Sequence, residues 1–193
     1  AILGLGTVGG GALKLLQENA AEIKRRTGRE IQITYVGTRR PRPDLDLNGI
    51  QQSDDLMHIV RQPDVDVVVE VMGGIHPAYE LIMEAIKHGK QVVTANKALL
   101  AEHGNELFKA AEDNAVQIAY EAAVAGGIPI IKVIREGLAA NRIDWLAGII
   151  NGTGNFILTE MRDKGRAFAD VLKEAQELGY AEADPTFDVE GID

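Results

Sequence analysis

Short apolar runs alternate along the chain with longer segments in which apolar residues recur every three or four positions. The apolar runs, each of which predicts a buried strand, are residues 1–5, 31–36, 65–71, 91–94 and 117–120. Between them, residues 8–26 and 97–114 have the period of amphipathic helices. Strands separated by helices predict an α/β fold built on a doubly wound, Rossmann-type parallel sheet.

The pattern changes after residue 128. Residues 129–139 predict a helix, residues 142–150 predict a new strand with Trp145 packed in its sheet, and two helices are predicted at 155–164 and 168–178. The sequence therefore predicts one domain over residues 1–128 and the beginning of an α+β domain over residues 129–193. Because the first strand starts at Ala1 and the last residue lies inside an acidic loop, we expect the chain to be a fragment.

Smaller signals mark the turns of the first domain. Residues 40–49 contain two prolines and a glycine and predict a loop, and Ser53 is a candidate cap for a short helix that ends near Arg61. Pro77 suits the first turn of the next helix, and Gly89 suits its end.

Composition narrows the class of protein. The 193 residues include 46% hydrophobic and 25% charged residues, the formal net charge is -9, and cysteine is absent. An acidic chain without a long basic cluster is a poor candidate for binding nucleic acid or an anionic membrane. The lack of cysteine favours a reducing compartment such as the cytoplasm and excludes thiolate chemistry within this sequence.

A glycine-rich turn follows the first predicted strand. Gly4, Gly6 and Gly9 form the pattern G-x-G-x-x-G, with Thr7 and Val8 at the start of the following helix. The first glycine permits a tight turn, the second allows close approach of a pyrophosphate, and the third allows helix and strand to pack closely. The pattern predicts a dinucleotide site, the alternative being a glycine-rich turn without a ligand.

Two arginines follow the second predicted strand. A carboxylate at this place would bind the ribose 2′-hydroxyl of NAD, but Arg39 and Arg40 stand there instead. Because a guanidinium pairs well with a 2′-phosphate, the sequence favours NADP over NAD, or acceptance of both. The alternative is that both arginines are solvated loop charges.

Further candidates follow the third and fourth apolar runs. Gly73 follows residues 65–71, and Thr94 and Lys97 lie where residues 91–94 run into a helix. Ligands of doubly wound sheets bind at the carboxyl ends of the strands. A lysine at a helix start also opposes the helix dipole. The alternative for Gly73 is a helix-entry turn without a ligand, and the alternative for Lys97 is an ordinary surface lysine.

Several motifs together resemble homoserine dehydrogenase. They occupy residues 4–9, 71–74, 94–97, 120–129, 151–155 and 179–185, in the order of that family, and the last three are the most specific. Residues 191–193 resemble the start of the family signature G-x-D-x-x-x-K, whose lysine would lie four residues beyond Asp193.

The resemblance implies a reaction and a set of residues. The reaction is the reversible NAD(P)H-dependent reduction of L-aspartate 4-semialdehyde to L-homoserine, on the route to threonine, methionine and isoleucine, by an enzyme that is typically a dimer. By matching position, Lys97 would lie by the reacting oxygen, with Asp193 as a second catalytic residue. The implied substrate site consists of Thr153, Gly179, Tyr180, Glu182, Asp188 and Asp193.

The resemblance also implies a monovalent cation, such as sodium, held at Glu121, Val124, Gly126 and Ile128. One carboxylate with backbone carbonyls would make a hard-oxygen site. The alternative is a helix-entry loop in which Pro129 occupies the first turn.

Other functions stay open at this point. An aldehyde dehydrogenase that forms an acyl-enzyme would need a cysteine nucleophile, which this sequence lacks. Another Rossmann-type reductase of amino-acid metabolism would explain the glycine turn but not the motifs at 151–155 and 179–185. A dinucleotide-sensing module without catalysis is the third alternative. The resemblance implies a homodimer of the full-length protein, and we expect this chain alone to bind a dinucleotide but to turn over little or no substrate.

Overall fold

The structure is a computed structural model that describes residues 1–181 and 185–191, without the side chain of Phe187. Its contacts divide the chain into two compact units, Ala1–Ala139 and Ala140–Asp193. The division falls after the helical residues 130–137, so these belong to the first unit by their contacts, whereas the sequence predicts a change of domain after residue 128. A functional boundary at residue 128 stays a prediction.

The described part of the first unit contains a six-stranded parallel sheet. In chain order its strands are β1 Ile2–Leu3, β2 Tyr35–Gly37, β3 Gln51–Ser53, β4 Val67–Glu70, β5 Gln91–Thr94 and β6 Ile118–Ala119. Their order across the sheet is β3-β2-β1-β4-β5-β6, so the order reverses between β1 and β4. This is the doubly wound topology, which confirms the predicted fold class.

Helices cover the two faces of this sheet. They are α1 Thr7–Glu18, α2 Ala20–Thr27, α3 Leu56–Val60, α4 Ala78–Lys87, α5 Lys97–Asp113 and the single turn α6 Ile130–Lys132, which continues as a π-helix over Val133–Gly137. One core packs β4 and β5 against α4 and α5 through residues such as Val68, Ile82 and Leu107. A second core packs Leu13 of α1 against Ile2 and Val36. Strands β1 and β2 are thereby fully buried, whereas β4 and β5 each bury two of their four residues and the edge strand β3 is largely exposed.

The first unit differs from the sequence-based predictions at a helix, at a helix cap and at an edge strand. The helix predicted at 8–26 is interrupted at Asn19, whose side-chain amide donates to Leu15 O at 2.9 Å and so competes with the helical backbone. Asp55, rather than Ser53, caps α3 by accepting from His58 N at 2.9 Å. The polar edge strand β3 was not predicted, because its glutamines have neither the apolar pattern nor the propensity of a strand.

The second unit contains three described helices, α7 Gly152–Lys164, α8 Phe168–Glu177 and α9 Thr186–Val189. A small core of Ile157, Val171, Ala175 and Ala181 joins α7 and α8. The predicted strand at 142–150 is wrong for the described residues, none of which pairs with this segment. Trp145 is 81% exposed rather than packed in a sheet, because a strand without neighbours has no sheet face to bury its side chains.

No helix in the described ranges 1–181 and 185–191 combines the length and the apolar character needed to cross a bilayer.

Candidate functional site

The glycine turn lies between β1 and α1, beside the point where the strand order reverses. Gly4 has φ +98°, and a side-chain carbon there would lie 2.9 Å from Met72 Cγ. A side-chain carbon on Gly9 would lie only 1.8 Å from Gly4 O. These two glycines are therefore required by the packing of the turn itself.

Gly6 is different, because a side-chain carbon added there would have no neighbour within 4 Å. Gly6, Thr7 and Val8 are exposed at the first turn of α1, where backbone N–H groups lack helical partners. The turn thus presents bare backbone and the positive end of a helix to solvent, which is the arrangement that binds a pyrophosphate. The role predicted for the second glycine of this motif, close approach of a ligand, fits Gly6.

Arg39 and Arg40 follow β2 at the same edge of the sheet. Both are exposed, and neither guanidinium forms a hydrogen bond or an ion pair with any described residue. Gly4 N donates to Gly37 O at 2.9 Å, which fixes the end of β2 beside the glycine turn. The two arginines are therefore available at the edge where an adenosine ribose would lie.

Arg42 also lies at the turn, and sequence reasoning missed it. Its guanidinium pairs in bidentate fashion with Asp44, at 2.9 and 2.7 Å, while Nη1 donates to Gly6 O at 3.3 Å. The hydrogen bond from Arg42 lowers the pKa of Asp44 to about 2, so this carboxylate is ionised at neutral pH. The signal in the sequence was the spacing of Arg42 and Asp44, which favours a local pair across a proline.

The ends of β4 and β5 form the neighbouring part of this edge. Gly73 and Gly74, with φ +76° and +75°, form the turn after β4. Asn96 joins the two strand ends, because its side-chain amide donates to Gly74 O at 2.6 Å while Oδ1 accepts from Leu99 N at 3.1 Å and so caps α5. Lys97 is the exposed first residue of α5. The predicted residues Gly73 and Lys97 are thereby held at one edge by Asn96, which sequence reasoning missed.

Thr94 faces the interior rather than the crevice. It is fully buried, and its hydroxyl donates to Glu70 Oε2 at 2.7 Å and accepts from Asn96 N at 3.1 Å. Glu70, at the end of β4, is also fully buried. A carboxylate within an apolar strand, followed by two glycines, was the sequence signal for this residue, and it was overlooked.

The loop predicted to hold a cation lies after β6. The carboxylate of Glu121 accepts from Ile131 N at 2.9 Å and from Lys132 N at 3.0 Å, so it caps α6. The three remaining residues of the predicted site, Val124, Gly126 and Ile128, are exposed in the loop that this contact closes. No group of three or more histidines, cysteines or acidic residues within the described ranges is arranged to hold a metal, so a cation here would depend on backbone carbonyls.

In the second unit, the start of α7 brings together residues from two distant motifs. Asn151 caps α7 by accepting from Gly154 N, and its amide donates to Asp188 Oδ1 at 2.8 Å. The hydroxyl of Thr153 donates to Tyr180 O at 2.8 Å. Tyr180 directly follows Gly179, whose φ is +77°.

Four of the residues predicted to bind substrate are therefore neighbours around one helix start, namely Thr153, Gly179, Tyr180 and Asp188. Glu182 and Asp193, the other two, lie outside the described residues. The ring of Tyr180 is mostly exposed and meets Phe156 edge-on, with centroids 5.3 Å apart.

The topology, the bare glycine turn and the strand-end candidates define a dinucleotide-binding α/β protein of the doubly wound class. Comparisons with known proteins make this more specific. Residues 4–121 match the family described as homoserine dehydrogenase, NAD binding domain, and residues 129–193 match the family described as homoserine dehydrogenase. The chain belongs to the homoserine dehydrogenase family.

Individual relatives agree. The chain is 62% identical over 192 residues to the homoserine dehydrogenase of Pseudomonas aeruginosa, and the alignment covers 100% of this chain and 44% of that protein. It is 44% identical to that of Bacillus subtilis, again covering all of this chain and 45% of the relative. The chain thus spans less than half of these relatives.

Solved structures show the same fold. A homoserine dehydrogenase from Thiobacillus denitrificans matches with a TM-score of 0.91 at 60% identity, over 99% of this chain and 44% of the other. A hyperthermophilic archaeal homoserine dehydrogenase, solved in complex with NADPH, matches with a TM-score of 0.83 at 28% identity, over 99% of this chain and 64% of the other.

Proposed function

We propose that the intact protein interconverts L-aspartate 4-semialdehyde and L-homoserine with NAD(P)H, as a step toward threonine, methionine and isoleucine. The observation that carries the proposal is that the bare backbone at Gly6 and the cluster around the start of α7 both fall in segments that match this one family. A different Rossmann-type reductase would account for the first feature only.

In this mechanism the residues of the first unit hold the cofactor and act on the reacting oxygen. Gly6, Thr7 and Val8 would bind the pyrophosphate through backbone N–H groups, and the exposed edge at Gly73 would face the other half of the cofactor. When bound, the nicotinamide supplies the hydride. Lys97 would stabilise the developing alkoxide and supply its proton.

The residues of the second unit would bind the amino acid. Homoserine and its semialdehyde carry an ammonium group, for which carboxylates are the natural partners. Glu182, Asp188 and Asp193 are the proposed carboxylates, and the bond from Asn151 to Asp188 supports this role because it leaves one carboxylate oxygen of Asp188 for a ligand. Thr153, Gly179 and Tyr180 would shape the same site.

Several finer assignments belong to the same proposal. The exposed guanidinium groups of Arg39 and Arg40 support a preference for NADP. A monovalent cation such as sodium would be held at the loop of Glu121, Val124, Gly126 and Ile128, mainly by carbonyl oxygens. The family resemblance supports a homodimer, and the absence of cysteine from the sequence supports a reducing compartment such as the cytoplasm.

The decisive experiment measures turnover by the intact protein and NADPH binding by a variant of the glycine turn. The intact protein should oxidise NADPH only when L-aspartate 4-semialdehyde is added. Gly6→Ala should weaken NADPH binding by about tenfold or more, equivalent to about 1.4 kcal/mol, because its methyl group meets only the ligand. Its melting temperature without cofactor should stay unchanged.

Gly11→Ala is the matched control, because Gly11 lies in α1, the helix that follows Gly6, and also has open space around it. It should bind NADPH normally. NADPH binding without any turnover of the semialdehyde would favour a sensing module or a different reductase and would overturn the proposed reaction.

A further inference from the structure

Glu70 is a carboxylate in the interior of the sheet. It is the last residue of β4, paired in register with Leu3 of β1 on one side and with Thr94 of β5 on the other. Its relative exposure is 0%. It therefore lies below the surface at the point where the strand order reverses, beside the proposed cofactor crevice.

Both oxygens of Glu70 accept hydrogen bonds. Met72 N donates to Oε1 at 2.8 Å and the hydroxyl of Thr94 donates to Oε2 at 2.7 Å, which is the pattern that suits a carboxylate. Glu70 forms no ion pair with any lysine, arginine or histidine of the described ranges. Burying a carboxylate without a cation is unfavourable, and an apolar residue would serve a purely structural role better at this position.

The two bonds from Glu70 lead into the two loops of the crevice. Met72 directly precedes Gly73 and Gly74 in the turn after β4. The hydroxyl of Thr94 accepts from Asn96 N at 3.1 Å, at the turn that begins α5 and presents Lys97.

Asn96 completes a ring of hydrogen bonds between the two loops, because its side-chain amide donates to Gly74 O at 2.6 Å. Each loop is thus bonded both to Glu70 and to the other loop. A ring of hydrogen bonds of this kind permits one separation of the two loops, since moving either loop would leave a buried polar group without its partner.

We propose that Glu70 and Thr94 are positioning residues, which hold the Gly73 turn and the start of α5 at the separation that the bound nicotinamide and Lys97 require. The proposal rests on the function proposed above for this edge of the sheet. It also gives Thr94 a role through Asn96 rather than through contact of its side chain with the cofactor, because that side chain is fully buried.

The test uses substitutions that change one bond without changing size. Glu70→Gln keeps the acceptor for Met72 N, but its amide faces the hydroxyl of Thr94, which already accepts from Asn96 N, so the hydroxyl proton loses its acceptor. Thr94→Val removes the hydroxyl and keeps the shape, whereas Thr94→Ser keeps the hydroxyl.

Lys90→Met is the control for stability alone. Lys90 is also buried, with 4% exposure, but it precedes β5 at the opposite, amino edge of the sheet, where it donates to Gln62 O and Val65 O. This variant should melt at a lower temperature while its affinity for NADPH and its kcat stay normal.

In the intact protein, Glu70→Gln and Thr94→Val should each lower kcat by about 10- to 100-fold, the size expected when reacting groups are displaced by about 1 Å. The KM for the semialdehyde should change far less, and the dissociation constant of NADPH should rise. The kcat of the Glu70→Gln, Thr94→Val double variant should be no lower than that of the poorer single variant, because both substitutions break the same ring of hydrogen bonds. Thr94→Ser should restore kcat to within about threefold of the unmodified protein, because it keeps the hydroxyl that completes the ring.

Variants that melt earlier but keep kcat and NADPH affinity, as Lys90→Met should, would overturn the proposal. So would a Thr94→Ser protein as impaired as Thr94→Val. If Glu70→Gln does not fold, the two Thr94 variants decide alone. If the unmodified protein binds NADPH but does not reduce the semialdehyde, the proposed function fails, whereas the dissociation constants of the same variants still decide whether the ring positions the cofactor loops.

Discussion

The two compact units differ in how well the described residues cover their apolar segments. In the first unit, Val68 and Val92 are buried in the core that packs the sheet against α4 and α5. In the second, Trp145, Leu146 and Ile150 are 81%, 76% and 85% exposed, although the sequence around them has the character of a strand. An apolar pattern therefore specifies a tendency to be buried, whereas the neighbouring strands decide whether a strand forms.

The contrast extends to function. The candidate cofactor residues of the first unit are held by bonds within that unit, from Gly4 to Gly37 and from Asn96 to Gly74. The candidate substrate residues of the second unit are likewise held internally, by the bond from Thr153 to Tyr180. Under the proposed function, substitutions in the first unit should change cofactor binding and turnover, and those in the second should change substrate binding.

The largest expected effect is that of Lys97→Ala in the intact protein. Loss of a cation beside a developing alkoxide should lower kcat by roughly 10²- to 10³-fold, because the interaction is strongest in the transition state. Glu182→Ala should instead mainly raise the KM for the semialdehyde, since a carboxylate facing an ammonium group acts on ground state and transition state alike.

Steady-state kinetics with thermal melting as a check on folding would measure both variants. Lys87→Ala, an exposed lysine in the last turn of α4, is the control and should behave as the unmodified protein. Normal turnover by the Lys97→Ala protein would refute the chemical role of Lys97. It would also contradict the proposal that turnover depends on the first unit and substrate binding on the second.

The next effect in size should come from Gly9→Ala. Its methyl carbon would lie 1.8 Å from Gly4 O, so the turn must shift, at a cost of about 1–3 kcal/mol in unfolding free energy. Both the melting temperature and the affinity for NADPH should fall together, unlike the result expected for Gly6→Ala. A Gly9→Ala protein that melts normally but no longer binds NADPH would show that the ligand, not the turn, requires this glycine.

Arg39→Ala should have a smaller and more selective effect. If Arg39 binds a 2′-phosphate, its loss should raise the KM for NADPH by about tenfold, or about 1.4 kcal/mol, and leave the KM for NADH nearly unchanged. Arg29→Ala, an exposed arginine beyond α2, is the matched control. Equal effects of Arg39→Ala on both cofactors would contradict the NADP preference. If Arg42→Ala alone selectively raised the KM for NADPH, the role of binding the 2′-phosphate would belong to Arg42, beside Gly6.

Sequence reasoning was most accurate where the structure depends on neighbours in the chain. The sheet of the first unit follows from local strand and helix periods, and the glycine turn from three spaced residues. It did not find Asn96, whose partner Gly74 lies 22 residues away, or the bonds from Thr94 to Glu70 and from Arg42 to Gly6, because only the folded sheet brings these residues together. The predicted strand at 142–150 failed for the same reason, since pairing is a long-range property.

The smallest expected effect lies in the second unit, at Asn151. Its side chain does two things at once, because Oδ1 caps α7 and the amide donates to Asp188 Oδ1 at 2.8 Å. Asn151→Ala removes both contacts and should lower the unfolding free energy by about 1 kcal/mol, the usual value of a helix cap. Asn155→Ala, an exposed position in the same helix, should cause no loss.

Asn151→Asp separates the two contacts, because a carboxylate can still cap the helix but would repel Asp188 where the amide donated to it. Its stability should therefore stay close to that of the unmodified protein, while the KM for the semialdehyde rises by a few-fold, about 0.5–1.5 kcal/mol for one hydrogen bond. NADPH binding should not change in either variant, since the cofactor residues belong to the first unit. If Asn151→Asp left the KM unchanged, Asp188 would not need its orientation to bind substrate, and the carboxylate role would rest on Glu182 and Asp193.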